Sequence, residues 1–202
     1  ADAVALGARV VIDPSRRHLD SRYSHLAIHP YPVALEAVER LRDGTEVTIR
    51  PIRPEDAEME TEFITELSDE SRYLRFLSIV RHVTPEMIAR FTQIDYDREM
   101  ALIATSREEG RESIIGVARY VRDPNPVSAE FAIVIADRAQ RRGLATKLMG
   151  RLMTHARFAG IERLRGLVLA SNDSMLELME RLGFEPFPIE DDPSLVDVVK
   201  VL

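Results

Sequence analysis

The chain has 202 residues, of which 45% are hydrophobic and 30% charged, with a formal net charge of -7 and no cysteine. That balance fits one sizeable globular domain with room for an appendage and excludes a disordered chain, disulfides and thiolate metal sites. The acidic sum argues against general nucleic-acid binding and favours a cationic macromolecular partner. No apolar run approaches the ~20 residues that span a bilayer, so no membrane association is expected. The N-terminus lacks a basic segment followed by a long apolar core and is not a secretory signal. Without cysteine and without a signal, the expected location is the cytoplasm. The missing initiator Met points to a processed or excised piece of a longer protein.

In chain order, residues 1–32 stand apart. "GARVVID" (7–13) is a short β-type run, and "HLAIHPYP" (25–32) reads as extended because each Pro disfavours helix in its predecessor. His25 and His29 are four apart, a spacing that suits a metal on a helix, but Pro30 and Pro32 argue against a helix there. Two surface histidines is the stronger reading, and no metal is expected.

A compact domain is expected from Val33 to Leu202. "TEVTIRPI" (45–52) alternates as a first strand, and a helix follows with Pro54 at its start and acids in its first turn. Ser68 and Thr84 are placed to cap two further helices, "SDESRYLRFL" and "TPEMIARFTQI". "EMALIATSR" and "SIIGVARYV" read as a hairpin across "EEGR", and "AEFAIVIAD" as a strongly apolar buried strand. The spacing of Leu144, Leu148, Leu152, Ala156 and Ala159 predicts a helix over about 141–159, ended by Gly160. A strand at "RLRGLVLA", a helix at "DSMLELMERL" and a last strand at "LVDVVKVL" complete the chain. The fold class is therefore α/β: a mixed sheet of six to seven strands flanked by helices, antiparallel in its first half, with a βαβ unit late in the chain.

Arg141 and Arg142 sit oddly at the predicted start of the long helix, because a helix N-terminus favours anions. Gln140, Gly143 and Ala145 spell Q-x-x-G-x-A at that strand–loop–helix junction. Unpaired backbone N–H groups, a small residue admitting close approach and two arginines together suit a pyrophosphate. The pattern is neither a phosphate loop with Lys and Ser/Thr nor a dinucleotide fingerprint. By itself it leaves open whether Gly143 serves a ligand or only helix packing.

Residues 128–184 resemble the GNAT superfamily of acyl-CoA N-acyltransferases, through "AEFAIVIADRAQRRGLATKLM" and the segment ending "NDSMLELMERLGF". The signature Q/R-x-x-G-x-G/A of that family matches Gln140, Gly143 and Ala145. The resemblance implies the GNAT fold with acetyl-CoA as acyl donor. Backbone from Arg141, Arg142, Gly143, Leu144, Ala145 and Thr146 would hold the CoA pyrophosphate, and strand residues Ile133, Val134 and Ile135 would pair with the pantetheine arm. Asn172 occupies the position of a pantetheine-reaching Asn, although it is equally a helix cap. Many members place a general-acid Tyr where this chain has Met179, so no general acid is assigned; a thiolate is a tolerable leaving group near neutrality.

An amine with a pKa of ~10.4 must lose a proton before it attacks, so the site needs a base. Glu130 lies inside an apolar strand, where a carboxylate is costly unless paired or functional, and related GNAT protein acetyltransferases carry a catalytic Glu there. A solvent-facing Glu is the competing reading. A backbone N–H near Phe131 to Ile133 is expected to polarise the thioester oxygen.

"LSDESRYLRFL" (67–77) and "FTQIDYDREMALIA" (91–104) are similar to bacterial Pat-type protein-lysine acetyltransferases, in which a GNAT domain is fused to an NDP-forming acyl-CoA synthetase-like region. Residues 1–32 resemble the end of the ATP-grasp part of that upstream region. Tyr73, Leu74 and Phe76 are expected to pack helices on the sheet. By resemblance, the acceptor is a lysine of a protein substrate, typically an AMP-forming acyl-CoA synthetase. Asp95, Asp97 and Glu99 form an acidic run near the expected acceptor side, or simply a solvated turn. Three alternatives remain at this level: N-acetylation of a small-molecule or N-terminal amine, a non-catalytic acyl-CoA-sensing domain, and a nucleotide-binding module, the last disfavoured because the motif lacks Lys and Ser/Thr at phosphate-loop spacing.

Overall fold

The computed structural model describes residues 29–78, 82–108 and 110–202. The β-type run at 7–13 and His25 lie outside them. Eight strands form one sheet: β1 (Ala37–Arg40), β2 (Glu46–Pro51), β3 (Glu99–Glu108), β4 (Arg111–Arg122), β5 (Ser128–Ile135), β6 (Arg163–Leu169), β7 (Glu185–Pro188) and β8 (Leu195–Val201). Their order is β1-β2-β3-β4-β5-β6-β8-β7. Every pairing is antiparallel except β5 with β6, which the crossover helix joins in parallel. The sheet thus has more strands than the sequence predicts. The additions are four-residue edge strands, too short for a period, and β7 carries Pro186 and Pro188, which only an edge tolerates.

Five helices flank the sheet: α1 (Ala57–Glu66), α2 (Asp69–Phe76), α3 (Pro85–Thr92), α4 (Leu144–Phe158) and α5 (Asp173–Arg181). The Ser68 and Thr84 side chains cap α2 and α3 by accepting from the N–H groups of Ser71 and Met87. α4 buries Leu144, Leu148, Leu152 and Ala156, the predicted apolar face, whereas Ala159 falls past its end. A Cβ on Gly116 would stand 3.1 Å from Leu148 Cδ1, so the glycine lets α4 lie close on β4. The opposite face carries α1, α2 and α3. Strand register places Arg119, Val121, Glu130 and Ala132 on that second face, and Arg119 donates from Nη2 to the Phe91 carbonyl of α3 at 2.9 Å.

A buried bidentate pair fixes the turn from β2 into α1. Arg50 donates to Asp56 at 2.7 and 2.6 Å, and Asp56 also accepts from the Arg53 N–H at 2.9 Å. Tyr31, from the segment read as a leader, rests on this region: its hydroxyl donates to Glu36 at 2.7 Å, and its ring meets Tyr96 edge-on at 5.9 Å.

Candidate active site

The parallel strands β5 and β6 pair only over Ser128↔Arg163, Ala129↔Leu164 and Glu130↔Arg165, then diverge. Both strands run on for several residues, so the sheet opens into a V. The ring of Phe131 lies against the bare backbone of Gly166, where a Cβ would be 2.7 Å from Cε1, and against Phe184 at 5.0 Å between centroids. The resulting cleft of about 200 Å³ is lined by β5 from Glu130 to Ile133, by β6 at Leu167 and Val168, by the end of α2, and by α5 at Asn172 and Met175. Beyond Glu130, the cleft-facing edge of β5 has no strand partner among the described residues, so its backbone donors and acceptors face the cleft.

At the far end of β5 the chain makes a 3-10 turn at Asp137–Ala139. Asp137 accepts from the Ser68 N–H at 3.0 Å, the Ser68 hydroxyl at 2.9 Å and the Ser71 hydroxyl at 2.7 Å, which ties this loop to the start of α2. Burial opposes the charge of Asp137, but these donors outweigh it and hold the carboxyl below its usual range. Gln140 donates to the Ile135 carbonyl at 3.3 Å and lies 3.4 Å from the Ser71 hydroxyl, so its side chain braces the loop.

α4 begins at Leu144 rather than 141, and both arginines precede it. Arg141 and Gly143 turn the chain with φ of 62° and 85°, the left-handed region that glycine adopts freely. Arg142 is partnered from the β1–β2 turn: its carbonyl accepts from the Arg42 N–H at 3.2 Å, and its guanidinium meets Asp43 at 3.3 Å. Arg141 is exposed and makes no ion pair among the described residues. The first helical return bond is Lys147 N–H to the Gly143 carbonyl, and no side chain caps the helix or places an acid in its first turn. The N–H groups of Leu144, Ala145 and Thr146 therefore point out of the helix without acceptors among the described residues, the kind of open helix end that attracts anions.

Asn172 is a helix cap and also lines the cleft. Its Oδ1 accepts from the Met175 N–H at 3.2 Å and the Ser174 hydroxyl at 3.1 Å, capping α5, while its amide nitrogen is left to donate at the cleft. Met179 is 1% exposed and packed in the core. The α5 side chain at the cleft is Met175, one turn earlier, and it too offers no proton. Glu130 is exposed at the mouth of the cleft instead of buried in its strand, because alternation sends it to the face that the helices leave open beside β6.

Leu74 and Phe76 line the wall, and Phe76 stacks on Phe91 at 6.1 Å, whereas Tyr73 points outward at 46% exposure rather than packing. Arg75 joins that wall as a charged member. Burial first, then the like charge of Arg119, pulls it down to about 10, while Glu60 and Glu130 oppose the shift; it stays charged at neutral pH. The acidic run is a turn: Asp95 accepts from the Asp97 N–H at 3.1 Å, and Asp97 pairs with His29 at 3.6 Å. Among the described residues, no group of three or more His, Cys, Asp or Glu is placed to hold a metal, and no helix is long and apolar enough to cross a membrane.

The family model described as "Acetyltransferase (GNAT) domain" matches residues 46–185. An acetyltransferase of Pseudomonas aeruginosa is 36% identical over 159 residues, covering 79% of this chain and 86% of that protein. Acetyltransferase Pat of Mycolicibacterium smegmatis is 34% identical over 157 residues, 77% of this chain but only 44% of the relative's length. The crystal structure of the GNAT domain of S. lividans PAT superposes with a TM-score of 0.78 at 30% identity, covering 86% of this chain and all of that one. The fold is shared at 13% identity and a TM-score of 0.61 by RimL, a ribosomal L7/L12 α-N-protein acetyltransferase solved with coenzyme A. With the open β5–β6 edge, the uncapped α4 and these likenesses together, the chain belongs to the GNAT family of acetyltransferases.

Proposed function

We propose that the chain transfers acetyl from acetyl-CoA directly to a lysine ε-amine of a protein substrate, an AMP-forming acyl-CoA synthetase being the expected target. The observation that carries this reading is the position of Glu130, at the mouth of the cleft where β5 and β6 part. The N–H groups from Gly143 to Thr146, with Arg141 and Arg142, take the CoA pyrophosphate. Backbone from Ile133 to Ile135 and the Asn172 amide hold the pantetheine arm. Gln140 serves this site by bracing its loop.

Glu130, directly or through a water, accepts the proton of the lysine ammonium. The free amine then attacks the thioester carbonyl, whose oxygen a β5 N–H near Phe131 to Ile133 stabilises, and CoA leaves as its thiolate. With no cysteine in the chain, a cysteinyl acyl-enzyme does not arise. The similarity to Pat proteins supports a protein acceptor, and an upstream synthetase-like region ending in residues 1–32 rests on the sequence resemblance of those residues. The expected compartment is the cytoplasm.

The test is to incubate the protein with acetyl-CoA and a purified acyl-CoA synthetase and map acetyl-lysine by mass spectrometry. A single modified lysine with loss of synthetase activity is expected. Acetyl-CoA binding without modification of any protein tried would favour the acyl-CoA-sensing reading, and transfer to small amines alone would overturn the protein acceptor.

A further inference from the structure

One arginine beside the loop that precedes α4 has no task in the transfer chemistry. Arg42 stands in the β1–β2 turn, which the Gly44 N–H closes by donating to the Leu41 carbonyl at 3.0 Å, and the Thr45 N–H by donating to Asp43 at 3.0 Å. This turn is docked on the loop. The Arg42 N–H donates to the Arg142 carbonyl at 3.2 Å, and Asp43 meets the Arg142 guanidinium at 3.3 Å. The Arg42 side chain lies along Gly143, where an added Cβ would stand 3.2 Å from its Nε, 3.4 Å from Cγ and 3.5 Å from Cδ. Arg42 is exposed, and its guanidinium makes no hydrogen bond or ion pair among the described residues.

Charge does not balance at this spot. Arg42, Arg141 and Arg142 gather around Gly143, and among the described residues Asp43 is the one carboxylate that pairs with any of them. The open start of α4 adds positive potential, in a chain whose net charge is -7. Like charges held together by a docked turn repel one another, and a ligand with several negative groups relieves that repulsion. The strand order gives the ligand a direction. The acyl cleft opens between β5 and β6, whereas Arg42 reaches the loop from β1 and β2 at the other end of the sheet. In CoA the pyrophosphate stands between the pantetheine arm and the ribose 3′-phosphate, so the 3′-phosphate is the anion still to be placed once the arm and the pyrophosphate are bound.

We propose that Arg42 binds the ribose 3′-phosphate of CoA and makes the β1–β2 turn a specificity element that favours complete CoA over its dephosphorylated form. The inference rests on acetyl-CoA as donor, with its pyrophosphate at the start of α4. A guanidinium presents paired donors that match phosphate oxygens. The turn and Gly143 hold the stem of Arg42 in place beforehand, so little order is lost on binding. Gly143 thus serves twice, by adopting its positive φ and by leaving room for Arg42 against the loop.

The experiment is calorimetric titration of acetyl-CoA and of acetyl-dephospho-CoA, which lacks only the 3′-phosphate, into wild type, Arg42→Gln, Arg42→Lys and Arg40→Gln. Wild type is expected to bind acetyl-CoA about tenfold more tightly than the dephospho form, the size of one charge-assisted contact at an exposed site. Arg42→Gln should lose about that factor for acetyl-CoA and keep its affinity for the dephospho form, so that the preference disappears. Arg42→Lys, which keeps the charge without the fork, should retain a smaller preference. Arg40→Gln removes a charge from the same hairpin, one already paired with Glu46 at 2.8 Å, and should keep the wild-type preference.

Equal affinity of wild type for the two ligands, or an Arg42→Gln protein that binds both more weakly by the same factor, overturns the proposal. Loss of the preference in Arg40→Gln overturns it too, since a general charge effect would then suffice. Binding of neither ligand by folded wild type would instead remove acetyl-CoA as the donor, whereas equal binding of both leaves the donor in place and removes only the role of Arg42. If Arg42→Gln does not fold, the wild-type comparison and Arg42→Lys still decide the matter.

Discussion

Replacing Gly166 with alanine puts a methyl carbon 2.7 Å from Phe131 Cε1 and 2.8 Å from Cζ, well inside the ~3.5–4.0 Å at which carbons rest. The ring has little room to yield. Phe131 is 5% exposed and backed by Phe184, and it stands where β5 and β6 begin to part. Overpacking of this kind costs about 1–3 kcal/mol. At this chain length each kcal/mol moves Tm by about 2–4 °C, so a cost of about 2 kcal/mol lowers it by about 4–8 °C. Gly150 is the control: inside α4, with nothing within 4 Å of an added Cβ, it should gain about 0.5–1 kcal/mol on becoming alanine. Thermal melts of both variants, with and without acetyl-CoA, check the pair. Gly166→Ala should also bind acetyl-CoA more weakly, because the displaced ring enters the cleft. A Gly166→Ala protein melting at or above wild type would refute the tight contact between Phe131 and the β6 backbone.

Other consequences follow from single contacts. Asp56→Ala strands the buried Arg50 guanidinium and should cost about 3–5 kcal/mol in urea unfolding; a loss below about 1 kcal/mol would mean that the pair is not buried as described. Gly143→Ala forces a side chain into a left-handed conformation at about 1–2 kcal/mol and crowds Arg42, 3.2 Å from the new carbon. Its acetyl-CoA dissociation constant should rise more than that of Gly150→Ala, as calorimetry would read. Glu60 makes stability pH-dependent in a defined direction. Its folded carboxyl lies at about 7 against an ordinary 4.5, so the folded chain keeps a proton that the unfolded chain has released. The stabilisation is full below about 4.5 and lost as pH rises through about 7. Urea titrations at pH 5 and pH 8 should show wild type losing stability relative to Glu60→Gln; a constant difference would count against the raised carboxyl.

Much of this architecture is legible in local pattern. Ser68, Thr84 and Asn172 cap the helices their positions predict, and the Leu144, Leu148, Leu152, Ala156 stripe is the buried face of α4. Edge strands β1 and β7 escape such reading, since four residues hold barely one period and the prolines of β7 argue against a strand until its edge position is known. The start of α4 is displaced by a tertiary cause: the β1–β2 turn holds Arg142 through Arg42 and Asp43, and Gly143 adopts the positive φ that delays the helix. The Q-x-x-G-x-A junction lies at the start of α4, and the structure adds what its spacing does not show: Gln140 reaches Ile135 and Ser71, the second from a distant helix. Resemblance singles out Glu130, but nothing in the sequence describes its surroundings. Exposure on the open face depends on which helices cover which strands, and the cleft wall brings Arg75 of α2 together with Glu130 of β5. Nothing in the spacing of those residues joins them; only the packed sheet does.

The most direct test of the account compares acetyl transfer by wild type and Glu130→Gln at pH 7, with saturating acetyl-CoA and a lysine-bearing protein acceptor, alongside acetyl-CoA affinity in the same preparations. Glutamine keeps the shape of the cleft mouth and removes only the proton acceptor. Affinity should stay within about twofold while the transfer rate falls by about 10²–10⁴, the usual contribution of a positioned base. Near-normal transfer by Glu130→Gln would contradict the assignment of this cleft's base.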